Sequence, residues 1–345
     1  MRDNKQIILF GAGLTGQMAL NYFGGNNVYC FVDNYKFGQT FCDKPVISFD
    51  ELIMIASNFD IVISISETKT QVISAVSDQL TNEKIAYKLF RECVNIEKLP
   101  SNPDIAYFKD LHKGEKCFVV GNGPSLRSED LDILYKNGIK CFGANLISQM
   151  YNKTKWRPDY YVVHDPIMMN HMAATISSTE AHHKFVPNPN DVVYNEADKL
   201  RKLLDLGLGK THYFYGVRMS PEKIEFYSDI SRILFLGGTV TGSMLQIAAY
   251  MGFKNIYLIG VDGTNTHMND KDYFKERRHF YKESSENTEY GNTYIHADPV
   301  YAKLLEHQVF LKLDEHSRIN GYRIFNATRG GVLNIFERVK FDDLF

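Results

Sequence analysis

Short apolar runs, each followed by a glycine- or asparagine-bearing turn and then a helical stretch, recur along the chain. Ile7–Phe10 predicts a strand, Leu14–Phe23 a helix and Val28–Asp33 a second strand. A turn-rich stretch runs through Lys44-Pro45, followed by a helix near Phe49–Ala56, a strand at Ile61–Ile65 and a helix at Thr70–Leu80. Strands alternating with helices through short connections predict a parallel sheet covered on both faces. Leu99-Pro100-Ser101-Asn102-Pro103 breaks the alternation and predicts a linker.

A second alternation follows, with strands at Cys117–Val120, Lys140–Ala144, Tyr160–His164, Ile233–Phe235, Asn255–Gly260 and Tyr322–Phe325. Helices are predicted at Glu129–Tyr135, Asn195–Leu204, Gly242–Met251 and Tyr301–His316. Residues 264–292 are polar, charged and aromatic with no clean period, which predicts a long loop or lid. The expected fold class is therefore α/β, with two Rossmann-like parallel-sheet domains at residues 1–98 and 104–345.

Composition narrows the classes. A length of 345 residues suits two domains, and 44% hydrophobic with 23% charged residues is ordinary for globular chains. The net charge of −2 argues against a globally basic nucleic-acid binder. Five scattered cysteines (Cys30, Cys42, Cys93, Cys117, Cys141) form no CxxC pair and no metal spacing, which predicts reduced thiols and a cytoplasmic setting. Met1–Lys5 is polar and leads straight into a strand, so no secretory leader is expected. The longest apolar runs are too short to span a bilayer, leaving only a side-on contact with the inner face of a membrane. Self-association stays open.

Gly11-Ala12-Gly13-Leu14-Thr15-Gly16 follows a strand, opens a helix and precedes a second strand ending in Asp33, 22 residues after Gly11. Glycines allow close backbone approach, the helix N-terminus offers free N–H groups to phosphate, and Asp33 suits ribose hydroxyls. Packing of helix on strand is the competing role for Gly11, Gly13 and Gly16. Asp33, Gly38, Lys44-Pro45-Val46 and Ser48-Phe49-Asp50-Glu51-Leu52 together resemble the N-terminal UDP-sugar-binding domain of sugar O-acyltransferases, over residues 5 to about 90. The resemblance implies nucleotide-sugar binding. It does not imply acylation, because the repeat domain that catalyses it has no counterpart here.

Gly121-Asn122-Gly123-Pro124-Ser125-Leu126 is the most informative hexapeptide. Pro124 fixes a turn, Ser125 suits a helix cap, and Asn122 places an amide at a strand end. This run resembles the opening of bacterial sialyltransferases that use a CMP-sialic acid donor. It also resembles the wider group of motility-associated flagellin glycosyltransferases and archaeal hydroxymethylpterin pyrophosphokinases. The resemblance continues through Asn145, His164-Asp165-Pro166, Thr241-Gly242 and the strand from Gly252 to Asp262. It reaches His296, 34 residues after Asp262, in the segment that carries the sialyltransferases' catalytic histidine. It implies nucleotide contacts from Asn122, Gly123, Ser125, Asn145, Asp165, Thr241, Gly242 and Asp262, with His296 as general base. The tyrosine pair that engages the donor phosphate in that family is missing after Asp262, so Tyr273, Tyr281 or Tyr290 would have to replace it. Asn326-Ala327-Thr328-Arg329-Gly330-Gly331 looks more like the wider group.

Independent of any family, Asn122, Asn145, Asp165, Thr241 and Asp262 fall at carboxyl ends of predicted strands or just beyond them, where open α/β sheets place ligands. Turn formation and capping compete for Asn145 and Asp262, and a helix-entry role competes for His296. His182-His183 shows no metal spacing and reads as surface; Lys275–His279 reads as a solvated charge run, with an anion clamp as the sharper alternative. Arg329 is a further anion candidate.

The expected function is transfer of an acidic sugar from a CMP-activated donor to a glycan or protein acceptor, in lipopolysaccharide, capsule or flagellin glycosylation. No metal or other cofactor is obligatory in that chemistry. The alternatives are a Mg-dependent pyrophosphokinase of the hydroxymethylpterin type, with Asp165 and Asp262 near the ion, and a non-catalytic nucleotide-sugar sensor.

Overall fold

The computed structural model describes residues 5–65, 69–95, 99–165, 168–169, 172–187, 207–217, 224–263, 279–280 and 299–345. They divide into two compact units, Met1–Pro100 and Ser101–Phe345. The predicted helix at 195–204 and most of the predicted lid lie outside the described residues.

In the first unit, β1 (Ile7–Phe10), β2 (Val28–Val32), β3 (Thr40–Phe41), β4 (Lys44–Ile47), β5 (Asp60–Ile63) and β6 (Tyr87–Leu89) form one sheet in the order β3-β4-β2-β1-β5-β6. All pairs are parallel except β3 with β4. The helices are α1 (Leu14–Phe23), α2 (Phe49–Ile55), α3 (Thr70–Asn82) and α4 (Phe90–Cys93). The turn-rich stretch before Lys44-Pro45 is a hairpin, with Cys42 and Asp43 both at positive φ (48° and 60°), as a two-residue connection requires. Ser48 and Glu51 form a reciprocal capping box that starts α2. Ile8 and Phe10 feed one apolar layer while Ile7 and Leu9 feed the other, so β1 is buried on both faces.

The second unit is built on eight strands. They are β7 (Lys116–Val120), β8 (Lys140–Ala144), β9 (Tyr160–Val162), β10 (His183–Pro187), β11 (Lys210–Phe214), β14 (Asn255–Ile259), β15 (Arg323–Asn326) and β16 (Glu337–Arg338). Their order is β11-β10-β9-β8-β7-β14-β15-β16, and every neighbouring pair is parallel. β12 (Gly216–Val217) and β13 (Leu234–Phe235) form a separate parallel pair. Around them lie α5 (Pro103–Ala106), α6 (Ser128–Lys136), α7 (Ala173–Ser178), α8 (Val240–Tyr250) and α9 (Pro299–Ile319). Along β7, Cys117 and Val119 face one apolar cluster and Phe118 and Val120 the other. α8 is apolar nearly all round and buried, packed on β7, β8 and β9 on one side and on α9 on another. The chain winds from β7 out to β11 and then crosses back to β14, so the order reverses between β7 and β14. Both units are thus α/β with Rossmann-like parallel sheets.

Candidate functional site

Strands β9, β8, β7 and β14 lie side by side, and their carboxyl ends lead into His164-Asp165, Asn145, Asn122 and Asp262 respectively. The sequence-predicted rim is therefore assembled on four neighbouring strands. The first turn of α8, with Thr241, Gly242 and Ser243, packs onto the same region: His164 Nδ1 lies 2.8 Å from Ser243 Oγ, with both side chains buried. His296 lies outside the described residues, as do Tyr273, Tyr281, Tyr290 and residues 275–278.

The glycines of 121–126 have a packing cause. A Cβ at Gly121 would overlap the Gly260 carbonyl, and one at Gly123 would overlap Asp262 Oδ2 and stand 2.7 Å from the Gly260 oxygen. Gly121 N–H donates to Ile259 O and Gly123 N–H to Gly260 O, each at 2.8 Å, extending the β7–β14 ladder beyond both strands. Leu126 N–H turns back to Gly123 O at 3.1 Å. Several of the N–H groups that a phosphate-cradling loop would present outward are therefore turned inward. Ser125 does not cap α6, whose N-cap is Arg127; its hydroxyl donates to Asp262 Oδ2 at 2.8 Å. The reversal point between β7 and β14 is laced shut, and the open part of the rim shifts toward β7 and β8.

There two amides stand out. Asn122 Nδ2 donates to the Ala144 carbonyl at 3.0 Å, which fixes the amide's orientation and directs Oδ1 away. Asn122 Oδ1 and Asn145 Oδ1 are both buried without a hydrogen-bond partner among the described residues. Asn145 adopts φ 53°, a left-handed conformation that asparagine tolerates better than most residues. Its carbonyl accepts the Tyr161 hydroxyl at 2.8 Å. An acceptor buried without a donor costs about 1–3 kcal/mol, and two on adjacent strand ends form a place where a ligand's N–H or O–H groups are wanted.

Asp262 is braced from behind by the segment after β15. Val332 N–H and Leu333 N–H donate to its carbonyl at 2.6 and 3.1 Å, and a Cβ at Gly331 would stand 2.5 Å from that oxygen. Thr328 Oγ1 accepts Val261 N–H at 3.2 Å, and buried Asn326 accepts Thr328 N–H at 3.0 Å. Arg329 is not an open anion site. Its Nε reaches Asp130 Oδ2 at 2.9 Å, its Nη2 reaches Asp130 Oδ1 at 3.0 Å, and it also pairs with Asp342, so the guanidinium holds its own proton more tightly than usual. Asp165 Oδ1 accepts Met168 N–H at 3.3 Å. Gly242 packs against α9, since a Cβ there would stand 2.9 Å from Val309 Cγ1, and Thr241 is buried, its N–H received by Thr239 Oγ1 at 3.3 Å.

Sequence reasoning missed Ser243 and missed the contact in which Phe280 N–H donates to the Asn122 carbonyl at 3.1 Å. Neither carries a local motif. Thiol chemistry is disfavoured: burial pushes the Cys30 thiol up to about 12 and raises Cys117 and Cys141 as well.

In the first unit, Gly11 has φ 122° and a Cβ there would stand 2.8 Å from Ser64 O; a Cβ at Gly16 would overlap the Gly11 carbonyl. Gly13 faces open space. Asp33 is engaged by the loop itself, accepting Ala12 N–H through Oδ2 and Tyr35 N–H through Oδ1, each at 3.0 Å. Lys36 Nζ donates to the Ala12 carbonyl at 2.7 Å. The N-cap of α1 is Gly13, which supplies no side-chain cap and leaves the first N–H groups of the helix to a ligand or water.

The fold is Rossmann-like α/β, with polar residues at the carboxyl ends of neighbouring strands, where open α/β sheets place ligands. Residues 91–267, just over half of the chain, match the family described as 6-hydroxymethylpterin diphosphokinase MptE-like, and the chain belongs to that family. A solved structure, the MAf glycosyltransferase from Magnetospirillum magneticum AMB-1, is similar at 14% identity and a TM-score of 0.42. That likeness covers 99% of this chain and 58% of the other, so the chain spans little more than half of its length. No curated protein matches. Among the described residues no helix is long and apolar enough to cross a membrane.

Proposed function

We propose that the second unit is a glycosyltransferase that takes an acidic sugar from a CMP-activated donor and passes it to a hydroxyl of a glycan or protein acceptor. The observation that carries this is the pair of partnerless amide oxygens on Asn122 and Asn145. Two acceptors repel phosphate oxygens and favour the side of a nucleotide that donates: ribose hydroxyls and an exocyclic amine, which cytosine has and uracil lacks. The donor's phosphate then lies away from these oxygens, toward the N-terminal end of α8, where the helix dipole favours negative charge. In transfer, the bond from the anomeric carbon to the CMP phosphate breaks and the acceptor oxygen bonds to that carbon. A base removes the acceptor's proton, and CMP leaves with the bonding pair. His296 is assigned that base by the sialyltransferase resemblance.

The family name favours a second reading, diphosphate transfer from ATP to a pterin alcohol. A magnesium ion would there be held with the substrate phosphates by one or two carboxylates and would neutralise their charge. Asp165 and Asp262 are the carboxylates of the rim. Asp262 Oδ2 accepts both the hydroxyl and the N–H of Ser125, and Asp165 Oδ1 accepts Met168 N–H; a carboxylate offers about four acceptor sites over its two oxygens, so these bonds are compatible with an ion bound in this way.

Calorimetric titration of the full chain with CMP, CDP, UDP, ATP and NAD, with and without Mg²⁺, separates the readings. The proposal expects CMP or CDP to bind without metal and more tightly than UDP. Tighter binding of ATP, dependent on Mg²⁺, overturns it in favour of diphosphate transfer. Heat from no nucleotide overturns both.

A further inference from the structure

A group of imidazoles lies on the sheet face at the start of β10, away from the carboxyl-end rim. His183 on β10 and His212 on the edge strand β11 point to the same face, and His183 Nδ1 lies 3.0 Å from His212 Nε2. Both rings stand edge-on to buried Phe108, with centroids 5.1 and 4.8 Å from its own. His183 stacks on Tyr160, whose hydroxyl bonds His112 Nε2 at 2.5 Å, and His212 stacks on Phe185. His212 is 1% exposed, and its Nδ1 is buried without a hydrogen-bond partner among the described residues.

A bond between two imidazole nitrogens requires one donor and one acceptor, so at most one ring of the pair is protonated while it lasts. A proton added to His183 alone is tolerated, since this ring is half-buried and its neighbours include Asp159. With His183 protonated, His212 accepts through Nε2 and carries its own proton on Nδ1, so a second proton puts an N–H at Nε2 facing the N–H of His183. It also sets two cations 3.0 Å apart in an aromatic surround.

The charged groups around the pair do not compensate. Asp159 before β9 is engaged by Lys140 of β8 at 2.8 Å and lies 3.5 Å from His182. Lys210 of β11 lies 3.8 Å from Asp104 of α5, and Glu115 lies 3.3 Å from His112. Each nearby carboxylate has a cation or imidazole of its own. One protonated ring beside Phe108 gains some cation–π attraction, but Phe108 cannot offset repulsion between two.

We propose that the His183–His212 pair is an acid-sensitive latch that holds edge strand β11 to the sheet and releases it when both rings are protonated. Among the described residues β11 pairs along the sheet with β10 alone; beyond that pairing, Lys210 lies 3.8 Å from Asp104 and Asn102 Nδ2 donates to the Tyr213 carbonyl at 2.6 Å. Burial lowers the affinity of both rings for protons, that of His212 to about 4. Because the folded pair prefers the neutral form, the latch is intact above the ordinary histidine pKa near 6.5 and is lost as pH falls from there toward 4.

Hydrogen exchange of the full chain, followed by mass spectrometry at pH 7.5, 6 and 5 and corrected for intrinsic rates, tests this. Peptides covering Lys210–Phe214 are expected to lose at least about tenfold in protection relative to those covering Lys116–Val120 as pH falls. His212→Phe keeps the aromatic packing and removes the proton site, and should hold β11 protected at pH 5. His183→Gln removes the other proton site and should act in the same direction if His212→Phe does not fold. The latch is overturned if β11 keeps its protection in the parent at pH 5, if both strands lose it together, or if the folded variants lose it as the parent does.

Discussion

The Ser125 hydroxyl donates to the Asp262 carboxylate at 2.8 Å, joining residues 137 positions apart across the point where the strand order of the second unit reverses. This bond shows why the hexapeptide at 121–126 has its composition. Serine is needed for the carboxylate, and glycines are needed because Asp262 and the Gly260 carbonyl occupy the space where side chains would stand. The motif closes the reversal point and leaves Asn122 Oδ1 and Asn145 Oδ1 as the rim's buried acceptors without a partner among the described residues.

Closure predicts an order of severity. Gly123→Ala drives a Cβ into Asp262 and Gly260 and should cost about 2–3 kcal/mol or more. Ser125→Ala removes one hydrogen bond to a charged group, at about 1.5–3 kcal/mol less solvent compensation, and should be the milder change. Urea unfolding measured for both variants checks this; the reverse order would mean that Asp262 relaxes away from Gly123 easily.

The two amide oxygens predict variants that separate binding from stability. Asn145→Gly keeps the left-handed backbone and deletes the amide, so unfolding free energy should change by about 1 kcal/mol or less. CMP affinity should nevertheless fall roughly tenfold, the worth of a hydrogen bond to a buried acceptor. Asn145→Val should lose affinity and also about 1–2 kcal/mol of stability, because a β-branched residue resists positive φ. Calorimetry and thermal melts on the same samples give both numbers. Unchanged CMP affinity in Asn145→Gly would remove Asn145 from the site.

Arg329 predicts a stability effect with a pH signature. Its fork holds Asp130, which is 4% exposed, so Arg329→Ala leaves a buried carboxylate uncompensated. The loss should be about 3 kcal/mol, at the low end for buried pairs because Arg329 itself is partly open to water. Arg329→Lys keeps the charge but not the fork and should lie between. The same guanidinium holds the Asp342 carboxyl below the usual carboxylate range. That contribution is present above the ordinary carboxylate pKa and disappears as pH falls through the lowered one. Melting curves from pH 7 to 3 should therefore converge for parent and Arg329→Ala in acid.

What was legible in the sequence follows physical locality. Strands such as Cys117–Val120 and Asn255–Ile259 are unbroken apolar runs because both faces of a parallel sheet are covered, and the polar residues after them had to lie on the rim. β10 and β11, with sequences HKFVP and KTHYF, escaped because polar residues break their pattern, and His183 was read as surface. Its true setting depends on Phe108, Tyr160 and His212, which lie far off along the chain. The same holds for His164 with Ser243 and for Arg329 with Asp130: no spacing rule announces a contact between residues 79 or 199 positions apart. Asp33 was legible as the acid that ends the second strand, whereas its hydrogen bonds to Ala12 and Tyr35 depend on how the loop folds back.

The three glycines of 11–16 look alike in sequence and should behave differently. Gly16→Ala places a Cβ on the Gly11 carbonyl, inside a backbone turn that cannot move without shifting β1 against α1, so the first unit should lose several kcal/mol or fail to fold. Gly11→Ala meets Ser64 O at 2.8 Å from a φ of 122°, and should be comparably damaging. Gly13 has no structural reason of this kind: a Cβ there meets nothing within 4 Å. Gly13→Val should fold with a loss of about 1 kcal/mol, the difference between glycine and a β-branched residue at an N-cap. If a nucleotide-sugar lies on this loop, its phosphates approach the open N–H groups of α1 where the valine would now stand, and affinity should fall by about tenfold or more. Titration of UDP-sugar into the parent and Gly13→Val, with CMP binding to the second unit as the internal control, decides the matter. Equal UDP-sugar affinity in the two proteins, or none in the parent, would leave Gly13 as a spacer and the loop as a joint between β1 and α1.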